Sequence, residues 1–150
     1  MILIIVTAII VFDQLTKYIA VQSLSINQPV SVIKGIFSLT LVHNRGAAFG
    51  ILKNQVPLFI VTSAVAVLLI YSELKNNKHR KAYSIALSLI LAGALGNLID
   101  RVFFGYVIDF LDFHFWPVFN VADSAITVGA VLLGVSLLRN KEKGVNDTSG

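Results

Sequence analysis

Long apolar stretches alternate with short polar ones along this chain. Four of them, roughly residues 1–22, 56–73, 83–103 and 119–138, carry too few polar residues to expose a wet face. At about 1.5 Å rise per residue, each is long enough as a helix to cross a hydrocarbon core of about 30 Å. The first opens Met1-Ile2-Leu3-Ile4, with no basic residues ahead of its apolar run and no small-residue cleavage site behind it. It therefore reads as a retained helix and not as a signal peptide. Pro57 suits the first turn of the second helix, with Asn54 or Gln55 as its cap. Between the first two runs the pattern changes. Phe37-Ser38-Leu39-Thr40-Leu41 alternates with period two and ends at the turn-like Asn44-Arg45-Gly46, which predicts a short strand. The expected fold is one all-α integral membrane domain, a four-transmembrane-helix bundle with a small extracytoplasmic β element in the stretch from about 23 to 55. Residues from about 144 to 150 read as a disordered tail.

Composition agrees with a membrane domain. Hydrophobic residues make up 56% of the chain and charged ones 13%, and the mean hydropathy is +0.81. Disordered, collagen-like and coiled-coil readings all require more charge or fewer large aliphatics. A net charge of +4 would suggest nucleic acid only if the basic residues formed a stripe, and they do not, so no nucleic-acid partner is expected. Their placement instead sets an orientation. Lys75, Lys78, Arg80 and Lys81 follow the second run, and Arg139, Lys141 and Lys143 follow the fourth. Seven of the twelve positive charges thus fall on one side, which the positive-inside rule makes cytoplasmic. Both termini are then inside, and the stretches from about 23 to 55 and 104 to 118 face outward.

The informative residues are those a bilayer should exclude. A charge at mid-membrane costs about 2.5–3.5 kcal/mol even on the mildest scale, so each one asks for a function. Asp13, Lys17, Asp100, Arg101, Asp109 and Asp123 lie in or beside the spans. Asp13 and Lys17, acid before base, form an i,i+4 pair expected to anchor the first helix. On the third helix Asn97, Asp100 and Arg101 share a face, and Ala92 and Gly96 offer a small-residue contact for a neighbour. Asp100 is expected to be neutralised by Arg101 or another cation, which would make it a poor acid or base.

Asp109 and Asp123 differ, because neither has a cation in its own segment. They sit at the outer ends of adjacent spans, and the residues between them can stretch about 43 Å, far more than folding back requires. Two carboxylates brought close cannot both ionise cheaply, so they share a proton and supply a base and an acid that together can activate water. Asp123, in the first turn of its helix, is favoured as the anion. Neither a metal nor a cofactor is needed: Asp109, Asp112 and His114 could be imagined as ligands, but no second cluster supports them. His43 reads as a loop histidine and His79 as part of the basic loop. Tyr106, Phe113, Phe115 and Trp116 read as an interfacial belt that could also form an apolar lip for a lipid-bearing substrate. Ser124 and Thr127 are expected to bond within their helix. The competing readings are a small transporter or channel with a carboxylate proton relay, and an assembly protein whose charges only pair helices.

Five motifs then meet in order: Asp13-Gln14-x-x-Lys17, Asn44-x-Gly46-Ala47-Ala48-Phe49, Gly96-Asn97-x-x-Asp100-Arg101, Val107-x-Asp109-Phe110 and Phe119-Asn120-x-Ala122-Asp123. Together they make the chain resemble the lipoprotein signal peptidases (signal peptidase II), bacterial aspartyl peptidases, over essentially its whole length. The resemblance implies a monomer in the bacterial cytoplasmic membrane, in contact with its lipids. It further implies an endopeptidase that cleaves prolipoproteins just before a diacylglyceryl-modified cysteine and is inhibited by globomycin-like peptides. It makes Asp109 and Asp123 the catalytic dyad. Asn44, Gly46, Asn97, Arg101 and Asn120 become substrate-binding or dyad-orienting residues, and Asp13, Lys17 and Asp100 accessory polar ones.

Overall fold

A computed structural model of the chain describes residues 1–46, 55–76 and 81–146. Its elements are α1 (Ile2–Ser23), β1 (Val30–Ile33), β2 (Phe37–Asn44), α2 (Val56–Asn76), α3 (Lys81–Phe104), β3 (Val107–Asp112) and α4 (Val121–Asn146). All four helices are long and apolar enough to cross a membrane. α4 begins two residues later than its apolar run and continues to Asn146, over the start of the expected tail. Ala47 to Phe49, Asn54, Lys78, His79, Arg80 and residues 147–150 lie outside the described residues.

Polarity is inverted relative to a water-soluble bundle. Leu3, Ile4, Phe12, Val61, Leu68, Leu69, Phe103, Val131 and Leu138 point outward, whereas Asp13, Lys17, Ser84, Ser88, Asn97 and Asp100 are buried. Lipid is as apolar as leucine, so aliphatic side chains gain nothing by hiding and polar ones must find partners inside. α3 is the central helix, packing against α1, α2 and α4. A cluster of Val6, Leu74, Leu87, Leu91 and Ala92 fills the half of the bundle away from the sheet. Small residues on α3 bring α4 and α1 in closely: a Cβ on Gly93 would strike the Ala122 carbonyl of α4, and one on Gly96 would sit 2.7 Å from Asp13 Oδ2 of α1.

The β element is larger than the alternation implied. β1, β2 and β3 form an antiparallel sheet in that order, at the end of the bundle where α1 and α3 finish and α4 starts. β3 lies in the outward-facing stretch from about 104 to 118, where no element is predicted; Val107, Ile108, Asp109 and Phe110 are buried in succession, so this part of the strand has no wet face and shows no alternation. Gly105, with φ of +76°, ends α3 in the left-handed conformation and donates its N–H to the Arg101 carbonyl, turning the chain directly into β3.

Candidate active site

Asp109 sits mid-strand on β3, opposite Val42 of β2, and Asn44 lies two residues further along β2. That diagonal relation puts their side chains on one face, where Asn44 Nδ2 donates to Asp109 Oδ2 at 2.9 Å. The Asn44 amide is itself held by the Gly46 N–H, which donates to its Oδ1 at 3.0 Å. Asp123 comes back over Asp109 because the intervening chain closes on itself: Phe119 exchanges backbone hydrogen bonds with Leu111, and its carbonyl also accepts the Phe110 N–H.

The next residue, Asn120, caps α4. Its Oδ1 accepts the Asp123 N–H at 2.8 Å, and Asp123 Oδ2 accepts the Asn120 N–H at 3.3 Å, a reciprocal capping box. Asp123 is thereby fixed in the first turn, near the positive end of the helix dipole. The Asn120 amide nitrogen also donates to Asp109 Oδ1 at 2.7 Å and to Asn97 Oδ1 at 3.1 Å, and Asn97 Nδ2 donates to Asp123 Oδ1 at 2.7 Å. Three asparagines from three elements thus present N–H groups to two carboxylates.

A cavity of about 250 Å³ is lined by both aspartates together with Asn44, Asn97, Arg101 and Trp116. Burial, and then the charge of Asp123, push the Asp109 carboxyl up to about 7, against the hydrogen bonds from Asn44 and Asn120. Near neutral pH this group can therefore both hold and release a proton. A second, more apolar cavity of about 390 Å³, lined by Phe113, Phe115, Trp116, Phe119 and Val128, shares Asp123 with the first.

The accessory charges meet the local expectation, with Lys17 as the cation other than Arg101 that it allowed for Asp100. Lys17 pairs with Asp13 at 2.8 Å, as the spacing implied, but it also pairs with Asp100 at 2.8 Å. Lys17, not Arg101, is therefore the cation against Asp100. Arg101 turns to the cavity, within the field of Asp123 and Asp109, with its guanidinium 5.2 Å from the centre of the Phe59 ring. Asp13 Oδ1 accepts the Ala122 N–H of α4, and Asp100 Oδ2 accepts the Ile108 N–H of β3, so these acids also fix the backbone next to Asp123 and Asp109 respectively. Gln14, marked in the sequence only as an amide in an apolar run, donates to both Asp13 and Asp100.

The remaining polar residues have local partners. Ser124 and Thr127 bond to carbonyls one turn back. His43 belongs to β2 and not to a loop, and stacks on Tyr106. Burial raises the Asp112 carboxyl, but hydrogen bonds from the His114 backbone and the Thr40 hydroxyl outweigh it and hold the group below the usual carboxylate range.

A family model described as Signal peptidase (SPase) II matches residues 5–139. The chain belongs to the signal peptidase II family. Among its curated relatives, the lipoprotein signal peptidase of Caldanaerobacter subterraneus subsp. tengcongensis is 51% identical over 140 residues, 92% of this chain and 96% of the relative. That of Halothermothrix orenii is 42% identical over 144 residues, covering 96% and 99%. A solved bacterial membrane enzyme superposes with a TM-score of 0.90 at 33% identity, covering 95% of this chain and 90% of the other. This signal peptidase II homologue is a multi-pass membrane protein, and the transporter alternative gains no support from these relatives.

Proposed function

We propose that this chain is an aspartic endopeptidase that removes signal peptides from prolipoproteins, with Asp109 and Asp123 as the catalytic dyad. The observation carrying this reading is a buried carboxylate, Asp109, and a half-buried one, Asp123, lining one cavity, each held by asparagine amides. Asp123, supported by the helix dipole and by Asn97, takes a proton from water as the water oxygen attacks the scissile carbonyl carbon. Asp109 gives its proton to the carbonyl oxygen. The resulting diol collapses as Asp109 retrieves that proton and Asp123 delivers its own to the leaving amine, breaking the C–N bond and restoring the starting states. Arg101 and Asn44 stand at the cavity wall, where they can hold the substrate backbone.

The apolar cavity beside Asp123 suits the diacylglyceryl-modified cysteine that follows the scissile bond, and a globomycin-like peptide would occupy the same space. The site is assigned to the extracytoplasmic face, with both termini cytoplasmic, from the side on which the basic residues fall. The enzyme is read as a monomer. The purified chain in detergent, given a prolipoprotein with or without the diacylglyceryl group, should cleave the lipidated form alone, as read from product masses. Equal cleavage of both forms would remove the substrate assignment.

The same chemistry sets a pH window. The active state has Asp109 protonated and Asp123 ionised, and Asp109 loses its proton at about pH 7. kcat/KM should therefore hold between the acid limb, where Asp123 takes up a proton, and that value, and then fall about tenfold per pH unit above it. A flat profile up to pH 9 would show that Asp109 does not act as the acid.

A further inference from the structure

We infer that Lys17 is a positioning residue for the dyad: its ammonium locks the Asn97 amide in one orientation and thereby keeps the dyad's negative charge on Asp123. The inference rests on the dyad reading above. Lys17 is buried at 1% exposure, and its three N–H groups meet Asp13 Oδ2 at 2.8 Å, Asp100 Oδ2 at 2.8 Å and Asn97 Oδ1 at 3.1 Å. An ammonium only donates, so the Asn97 atom facing it must be the oxygen. The amide nitrogen is left to face Asp123 Oδ1 at 2.7 Å, where an N–H donor favours the anion.

The constraint reaches one residue further. With Asn97 Oδ1 fixed toward the ammonium, Asn120 can approach it only through Nδ2, at 3.1 Å. Asn120 Oδ1 is then free to accept the Asp123 N–H, and its Nδ2 also reaches Asp109. One buried charge on α1 thus sets the polarity of two amides on α3 and at the start of α4. Asn44 is not part of this chain, since Gly46 fixes its amide independently. The described charged and titratable groups around the dyad are Asp13 and Lys17 from α1, Asp100 and Arg101 from α3, and the dyad itself from β3 and α4. His43 of β2 is engaged with Tyr106, and α2 offers Arg101 the Phe59 ring.

The test compares pH profiles of prolipoprotein cleavage for wild type, Lys17→Met and Lys17→Arg in detergent. In Lys17→Met the Asn97 amide is free to turn its oxygen toward Asp123, so the acid limb should move up by about one pH unit, roughly tenfold lower activity on that limb. Lys17→Arg, which still only donates, should keep the wild-type limb even if its rate falls. A Lys17→Met enzyme that is slower with both limbs unmoved, or a Lys17→Arg limb displaced as far as that of Lys17→Met, would overturn the inference. If both Lys17 substitutions prevent insertion, Asn97→Ala decides: with the oriented amide gone from Asp123, the acid limb should rise by about one pH unit, and an unmoved limb would overturn the inference. Activity remaining in both Asp109→Asn and Asp123→Asn would instead remove the underlying peptidase reading.

Discussion

Replacing Asp109 or Asp123 by Asn should each lower prolipoprotein cleavage by about 10⁴-fold or more, with the protein still inserted in the membrane. Both losses should be of similar size, because a shared-proton pair works as a unit and either half alone has no partner for the proton it must exchange. Each substitution keeps the side-chain shape but leaves an amide nitrogen facing one of the two donors that the carboxylate accepted, so the protein level must be read beside the rate to separate lost proton transfer from a disturbed site. Asp112→Asn is the matched control. Asp112 lies on the same strand but bonds Thr40 and the His114 backbone away from the cavity, so its loss should change the rate only a few-fold. Processing by a complementation assay, with protein level read from the membrane fraction, separates these outcomes. Full processing in both dyad variants would leave the carboxylates as helix-pairing groups in a non-enzymatic assembly protein.

That Asp109 and Asp123 stand out in the sequence as a candidate pair follows from the solvent. In a bilayer, a carboxylate without a cation nearby in sequence is conspicuous, and Asp109 and Asp123 were conspicuous on that ground. The four helices were legible for the same reason, and the Asp13–Lys17 pair from spacing alone. What stayed hidden depended on contacts between distant segments. Lys17 reaches Asp100 from another helix, and nothing near Asp100 in sequence signals this, while the adjacent Arg101 offers a false partner. β3 was hidden because burial on both faces erases the alternation that marked β2. The strand matters for function, since it turns Asp109 from a loop residue with many positions into one held opposite Val42 with Asn44 on its diagonal. The sequence motifs kept Asn44, Asn97 and Asn120 apart, and only the fold shows them as one set of oriented amides.

Asn120 is where that set concentrates, and its replacement should cost both stability and rate. Asn120→Ala removes the α4 cap and withdraws the amide N–H from Asp109 and Asn97 at a fully buried position. A lost cap and a lost buried donor together should lower stability by about 2–4 kcal/mol. Cleavage should fall by about 10²-fold, since Asp109 would lose one of its two side-chain amide donors and the first turn that aims Asp123 would fray. Asn120→Ser separates the two contributions. Serine is as good an N-cap as asparagine, so its hydroxyl should recover about 1 kcal/mol by accepting the Asp123 N–H again, but it is too short to reach Asp109 as the amide does. The serine variant should therefore unfold closer to wild type in a thermal melt while cleaving almost as slowly as the alanine variant. Recovery of both properties by serine would mean that Asn120 serves the site through the cap alone, and that the amide bridge between Asp109 and Asn97 contributes nothing to the reaction.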